Sequence, residues 1–221
     1  GAERTLPMDG FPTVDALVAR YKAERNDGQG LNAEEEKLIA QPFYSSQTTY
    51  PPRYYQRNAV NRTLDAIARG QDRILLVMAT GTGKTYTAFQ IVYRLLSSGV
   101  KRKVLYLADR NNLVDQSIQQ DFAPLEKVIH KVNFSKDRRD TITSYEVYFA
   151  LYQQLVGDND QEHYSELFDP DFFDLIIVDE CHRGSAKEDS RWRKVLDYFA
   201  HATQIGMTAT PKETSYVSNI D

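Results

Sequence analysis

Lys84 and Thr85 follow two glycines in the run Ala79-Thr80-Gly81-Thr82-Gly83-Lys84-Thr85. Residues of these types at this spacing can hold a polyphosphate. Glycines let backbone N–H groups close around anionic oxygens, and a helix opening at the lysine adds its partial positive charge. Lys84 can then reach the β- and γ-phosphates of a nucleotide, and the Thr85 hydroxyl can hold Mg²⁺. The full pattern GxxxxGK[ST] asks for glycine at position 78, where this chain has Met78. An ordinary strand, turn and helix with a chance Gly-Lys-Thr is the competing reading.

A second chemistry-bearing pair, Asp179-Glu180, follows the apolar run Leu175-Ile176-Ile177-Val178. In a phosphoryl-transfer site the first carboxylate can hold Mg²⁺ through water, and the next can orient or deprotonate the attacking water. Gln56, with Arg53 just before it, is a candidate reader of adenine, because a side-chain amide offers one donor and one acceptor to a base edge that shows the same. By itself a glutamine on a helix surface is the simpler explanation. Asp109 and Arg110 end an apolar run, where loop amides and a guanidinium can meet a nucleic-acid phosphate; a plain turn fits nearly as well. Thr208 and Thr210 flank Ala209 and can couple the Asp179–His182 stretch to whatever lies opposite, or simply form a hydroxyl-capped turn. Cys181-His182 lacks a Cys/His partner at ligand spacing and is a poor zinc site. His182 suits a hydrogen bond to a neighbouring motif that reports nucleotide state, and Cys181 a small buried position.

These residues need elements to hold them. Residues 74–78, Val104–Ala108 and 175–178 are apolar without alternation, the pattern of strands buried on both faces of a parallel sheet, and 202–208 reads as a last strand. Residues 128–134 and 144–152 suit further strands. Helical spacing of apolar residues marks 86–96, a stretch after 110 with Leu113, Ile118 and Phe122, and a stretch with Trp192, Val195, Leu196 and Phe199. Ala59, Val60, Thr63, Leu64 and Ile67 predict an amphipathic helix from 53 to a stop at Gly70.

Residues 1–52 read as a helical leader: Thr13 caps a helix ahead of Asp27-Gly28, Asn32 with Glu35 opens a second helix to about Ala40, and the polar stretch before Pro51-Pro52 is linker-like. Asp27, Glu35 and Lys37 mimic the acidic residues and lysine of a metal-dependent nuclease. Within AEEEK they are expected to be a solvated helix start.

The 221 residues suffice for one large domain, and a 41% hydrophobic content supplies its core. At a net charge of −4, any nucleic-acid site must be a local patch rather than bulk positive charge. The single cysteine, Cys181, excludes an intrachain disulfide and fits a reducing cytoplasm. No apolar run approaches the ~20 residues of a membrane helix.

In chain order, Arg53-Tyr54-Tyr55-Gln56, Ala79–Thr85, Asp179-Glu180-Cys181-His182 and Thr208-Ala209-Thr210 resemble the Q-motif and motifs I, II and III of the first RecA-like lobe of superfamily 2 helicases and translocases. In that superfamily motif I often reads AxxGxGKT, which accommodates Met78. Asp109-Arg110 resembles motif Ia, and FALYQQL, with Tyr152 and Gln153, the DNA-contact motif that follows. MATGTGKT, LADRNNLVDQ, IIVDECHRGS and GMTATPKET together resemble the motor (HsdR) subunit of type I restriction–modification enzymes. The resemblance is strong over residues 53–214 and weak over 1–52. It implies an α/β, mainly parallel ATP-binding lobe with ATP and Mg²⁺ as cofactors. It further implies ATP hydrolysis coupled to translocation along double-stranded DNA, and methyltransferase and specificity subunits as partners in a bacterial or archaeal cytoplasm. The family's nuclease domain is expected upstream of residue 53's lobe, with residues 215–221 leading to a second lobe that carries an arginine finger; the lobe alone is expected to bind nucleotide without efficient turnover. Another superfamily 2 translocase of the type III restriction or repair kind, a nucleotide-gated DNA-binding module without turnover, and a small-molecule kinase are the rival readings.

Overall fold

The computed structural model describes residues 10–47, 49–108, 111–155, 163–181, 193–211, 213–214 and 217–218. The helices are α1 (Val14–Glu24), α2 (Ala33–Ala40), α3 (Tyr54–Ala68), α4 (Lys84–Ser97), α5 (Asn111–Gln119), α6 (Arg139–Ile142), α7 (Tyr152–Leu155) and α8 (His163–Leu167), with residues 193–198 also helical. The strands are β1 (Arg73–Val77), β2 (Val104–Ala108), β3 (Ile129–Lys131), β4 (Val147–Leu151), β5 (Leu175–Asp179) and β6 (Thr203–Thr208), followed by the short pair β7 (Glu213–Thr214) and β8 (Val217–Ser218).

Strands β1 to β6 form one sheet in the order β1-β6-β5-β2-β4-β3, with every pairing parallel. The continuous apolar runs explain this arrangement. Along β2, Val104, Tyr106 and Ala108 enter the core on one face, and Leu105 and Leu107 the core on the other. Helices α3, α4 and α5 cover the first face through Val60, Leu64, Ile67, Ala88, Ile91, Val92 and Val114. Tyr164, Leu167, Phe168, Phe173, Val195 and Phe199 cover the second. A strand coated on both faces needs no polar side, which is why these sequences do not alternate.

Some expectations change. The first apolar run is expected to be buried on both faces, yet β1 is the sheet's edge strand and Val77 is 53% exposed. Flanked by β6 on one side only, it receives less cover from the layers above and below. The strand expected over 128–134 shortens to Ile129–Lys131, and past the last expected strand β7 pairs antiparallel with β8.

Glu35 is the largest correction. It is 2% exposed rather than solvated. The capping box expected at Asn32 is present, and it turns Glu35 inward, where its carboxylate accepts from the Asn32 backbone N–H at 2.8 Å, Arg25 at 2.9 Å and Asn26 at 2.7 Å. Burial pushes this carboxyl up, but those hydrogen bonds outweigh it and hold it below its ordinary value. Its oxygens serve α1–α3 packing, and no group of three or more potential metal-ligating His, Cys, Asp or Glu side chains occurs among the described residues.

Candidate nucleotide-binding site

A parallel sheet brings all its strand ends of one kind to one edge. Here the carboxyl ends of β1, β5 and β6 carry the Ala79–Thr85, Asp179-Glu180 and Thr208–Thr210 stretches. This is the edge where open α/β sheets bind ligands.

The course of the loop after β1 is fixed at both ends. Met78 donates its N–H to the Thr208 carbonyl at 2.9 Å, fixing where the chain leaves the sheet. Thr82 folds back on Ala79, its hydroxyl donating to the Ala79 carbonyl at 2.6 Å. Gly81 and Gly83 have φ of +76° and +81°, a region that costs an L side chain roughly 1–2 kcal/mol. Helix α4 begins at once with Lys84, with Thr85 in its first turn. Gln56 is buried rather than displayed on the helix surface. Its amide donates to the Thr82 carbonyl and accepts from the Arg53 backbone N–H, both at 2.9 Å, tying the start of α3 to the loop.

Lys84 Nζ lies 3.2 Å from Glu180 Oε1 and 3.5 Å from the Met78 carbonyl. Glu180 takes φ +53°, a left-handed backbone that ends β5. Asp179 is gripped on both oxygens: the Glu180 backbone N–H donates to Oδ1 at 3.0 Å and the Tyr106 hydroxyl to Oδ2 at 3.2 Å. Burial, reinforced by the Glu180 carboxylate, pushes the Asp179 carboxyl up. Burial likewise drives the Tyr106 hydroxyl well above its ordinary value, so it stays a donor. Cys181 packs against Gly206, and burial pushes its thiol up to about 11.

Thr208 and Thr210 close on each other. The Thr210 N–H donates to the Thr208 hydroxyl at 3.1 Å, and that hydroxyl lies 3.2 Å from the Thr210 carbonyl. The geometry is that of a hydroxyl-capped turn, seated beside the loop through the Met78–Thr208 hydrogen bond. Tyr152 and Gln153 open α7 at the carboxyl end of β4, and their side chains lie outside the described residues, as do Asp109, Arg110 and His182.

A cavity of about 840 Å³ borders the loop on the Gln56 side. Tyr44, Tyr50, Arg53, Gln56, Gly83 and Tyr86 are among its walls, whereas Lys84, Asp179 and Glu180 are not. Its volume suits a small organic ligand. The part played by residues before 52 was not legible in the sequence. Gln90 exchanges two hydrogen bonds with the Tyr44 backbone, at 2.9 and 3.1 Å, and Tyr86 donates to the Tyr50 carbonyl at 3.1 Å. Buried Arg94 donates to the Leu38 and Gln41 carbonyls and to Asn61. The polar residues Tyr86, Gln90 and Arg94, four apart on one face of an otherwise apolar helix, were the available signal.

Comparison with known proteins fits this arrangement. Residues 49–213 match a family model described as "Type III restriction enzyme, res subunit". The chain belongs to this family. It is 48% identical over 219 residues to the type I restriction enzyme EcoAI endonuclease subunit of Escherichia coli, covering 99% of this chain and 26% of that protein. A solved fragment of an HsdR subunit of a type I restriction enzyme from Vibrio vulnificus aligns with TM-score 0.66 and 35% identity, over 93% of this chain and 33% of that one. LlaGI, a Type ISP restriction-modification enzyme solved as a nuclease-deletion mutant with a DNA substrate mimic, aligns with TM-score 0.57 and 27% identity, over 78% and 19%. The chain thus spans about a quarter of the length of the EcoAI subunit. The resemblance to type I motor subunits is borne out, and the six-stranded parallel sheet with its helices is a RecA-like helicase lobe. Among the described residues no helix is long and apolar enough to cross a membrane.

Proposed function

We propose that this chain is the ATP-binding lobe of a motor that couples ATP hydrolysis to translocation along double-stranded DNA, within a type I restriction enzyme. The observation that carries the proposal is the meeting of Lys84 and Glu180 at 3.2 Å, beside a loop whose glycines hold left-handed backbone. A cation, a paired carboxylate and a glycine-bearing loop at one sheet edge are what phosphoryl transfer uses.

In this reading the Thr80–Gly83 backbone cradles the phosphates and Lys84 neutralises the β- and γ-oxygens. Thr85 and Asp179 would hold Mg²⁺. Their hard oxygen donors suit it, and a divalent charge would offset the burial and carboxylate repulsion that push Asp179 up. The ion would supply charge neutralisation on the phosphates. Glu180 orients the attacking water and takes its proton. Gln56 and Arg53 face the base through the adjoining cavity. Gln56, bonded to the Thr82 carbonyl, holds base and phosphate subsites in one register.

Thr208, Thr210 and His182 would link nucleotide state to DNA grip, and Asp109, Arg110, Tyr152 and Gln153 would meet DNA. The EcoAI and Vibrio relatives are subunits of type I restriction enzymes, which supports assembly in a multi-subunit complex, with methyltransferase and specificity subunits in a bacterial cytoplasm as the proposed setting, and the LlaGI complex supports DNA as the track.

The test is hydrolysis with and without duplex DNA by a longer chain that carries this lobe together with a second lobe, in wild type and Glu180→Gln. The reading expects Glu180→Gln to bind ATP and to lose at least ~100-fold in turnover, the scale of a general base. Undiminished turnover in that variant contradicts it.

A further inference from the structure

Tyr106 is a buried hydroxyl in the middle of the central strand β2, where an apolar ring would pack as well. It is 1% exposed. Its ring stacks on Phe149 at 4.8 Å and meets Phe122 edge-on at 5.7 Å, so the ring is held on two sides. The hydroxyl donates to Asp179 Oδ2 at 3.2 Å, across from β2 to the end of the neighbouring strand β5. The other oxygen, Oδ1, accepts from the Glu180 N–H at 3.0 Å.

Two donors on different oxygens fix a carboxylate's rotation about its last bond. They leave the remaining lone pairs on each oxygen aimed in set directions. We propose that Tyr106 is a positioning residue for Asp179, holding its carboxylate in the orientation that receives Mg²⁺ with the nucleotide. The assignment rests on the reading of Asp179 given above. Tyr106 acts through Asp179. Outer donors of this kind are worth roughly 10- to 100-fold in metal affinity.

Tyr106→Phe removes only the oxygen and keeps both ring contacts. Tyr148→Phe is the matched control. Its hydroxyl is likewise buried in the sheet and donates to the Ile142 and Tyr145 carbonyls, far along the chain from Asp179. The measurement is fluorescence titration of a non-hydrolysable ATP analogue in EDTA, then over a series of Mg²⁺ concentrations, on wild type and both variants. Tyr106→Phe is expected to bind the analogue in EDTA as wild type does and to need at least ~10-fold more Mg²⁺ for the tightening that Mg²⁺ brings. Tyr148→Phe is expected to follow wild type in both. A Tyr106→Phe curve that matches wild type overturns the assignment alone, as does an equal loss with and without Mg²⁺. A wild type that binds no analogue overturns the reading of the site and this assignment with it.

Discussion

The side-chain nitrogen of Gln56 occupies the space beside Gly83. A Cβ built at Gly83 would lie 2.6 Å from Gln56 Nε2. Gln56 cannot swing aside at no cost, because both ends of its amide are bonded and it is 7% exposed. Gly83 also has φ +81°. Gly83→Ala is therefore expected to cost about 2 kcal/mol of stability and to weaken nucleotide binding at least ~10-fold, by opening the Gln56–Thr82 contact. Urea unfolding and nucleotide titration read the two effects. A variant as stable and as tight as wild type would show the loop to be looser than its geometry.

Arg94 is expected to be a strong determinant of stability although it lies far from the charged residues of the site. Its guanidinium is 6% exposed and serves Leu38, Gln41 and Asn61 at 2.6 to 2.9 Å. Arg94→Met fills much of the volume but orphans these acceptors. The expected loss is about 3 kcal/mol, or roughly 6–12 °C in Tm for a chain of this size. Thermal unfolding measures the loss, and hydrogen exchange should report faster opening of residues 38–50. Protection unchanged there would mean that Gln90 and Tyr86 suffice to hold the segment.

Glu35 gives the pH dependence. Its carboxyl is held below the ordinary value of 4.5, so the folded state binds its proton less readily than the unfolded chain. The stabilisation is present above that ordinary value and is lost as pH falls through the lower folded value. Glu35→Gln is expected to lose about 1–3 kcal/mol at pH 7, with the gap to wild type narrowing below about pH 4.5. Denaturant unfolding at pH 7, 5 and 3.5 follows the gap. A constant difference across that range would assign the loss to shape rather than charge.

Much of this was legible because it is local. The strands β2, β4 and β5 were readable from their apolar runs, and Thr13 and the Asn32–Glu35 capping box from spacing within four residues. The loop and the Asp179-Glu180 pair were legible because their residue types stand at fixed offsets after the apolar runs of β1 and β5. What escaped depends on partners distant in sequence. Glu35 becomes a buried hub only because α1 delivers Arg25 and Asn26 to it. Tyr106 reads as core until β5 is laid beside β2. Gln90 and Arg94 find backbone acceptors 46 and 53 residues away, which no periodicity reports. The exposure of β1 follows from sheet order, and an apolar run is the same at an edge as at the centre.

The central claim is that Lys84 and the loop before it hold the phosphates of ATP. Calorimetric titration of Mg-ATP into the wild-type protein and into Lys84→Ala tests it most directly. Saturable one-to-one binding in wild type, weakened at least ~10-fold in a Lys84→Ala variant whose unfolding curve shows it to be folded, is the predicted result. Equal binding by the two would place the phosphates elsewhere and contradict the account.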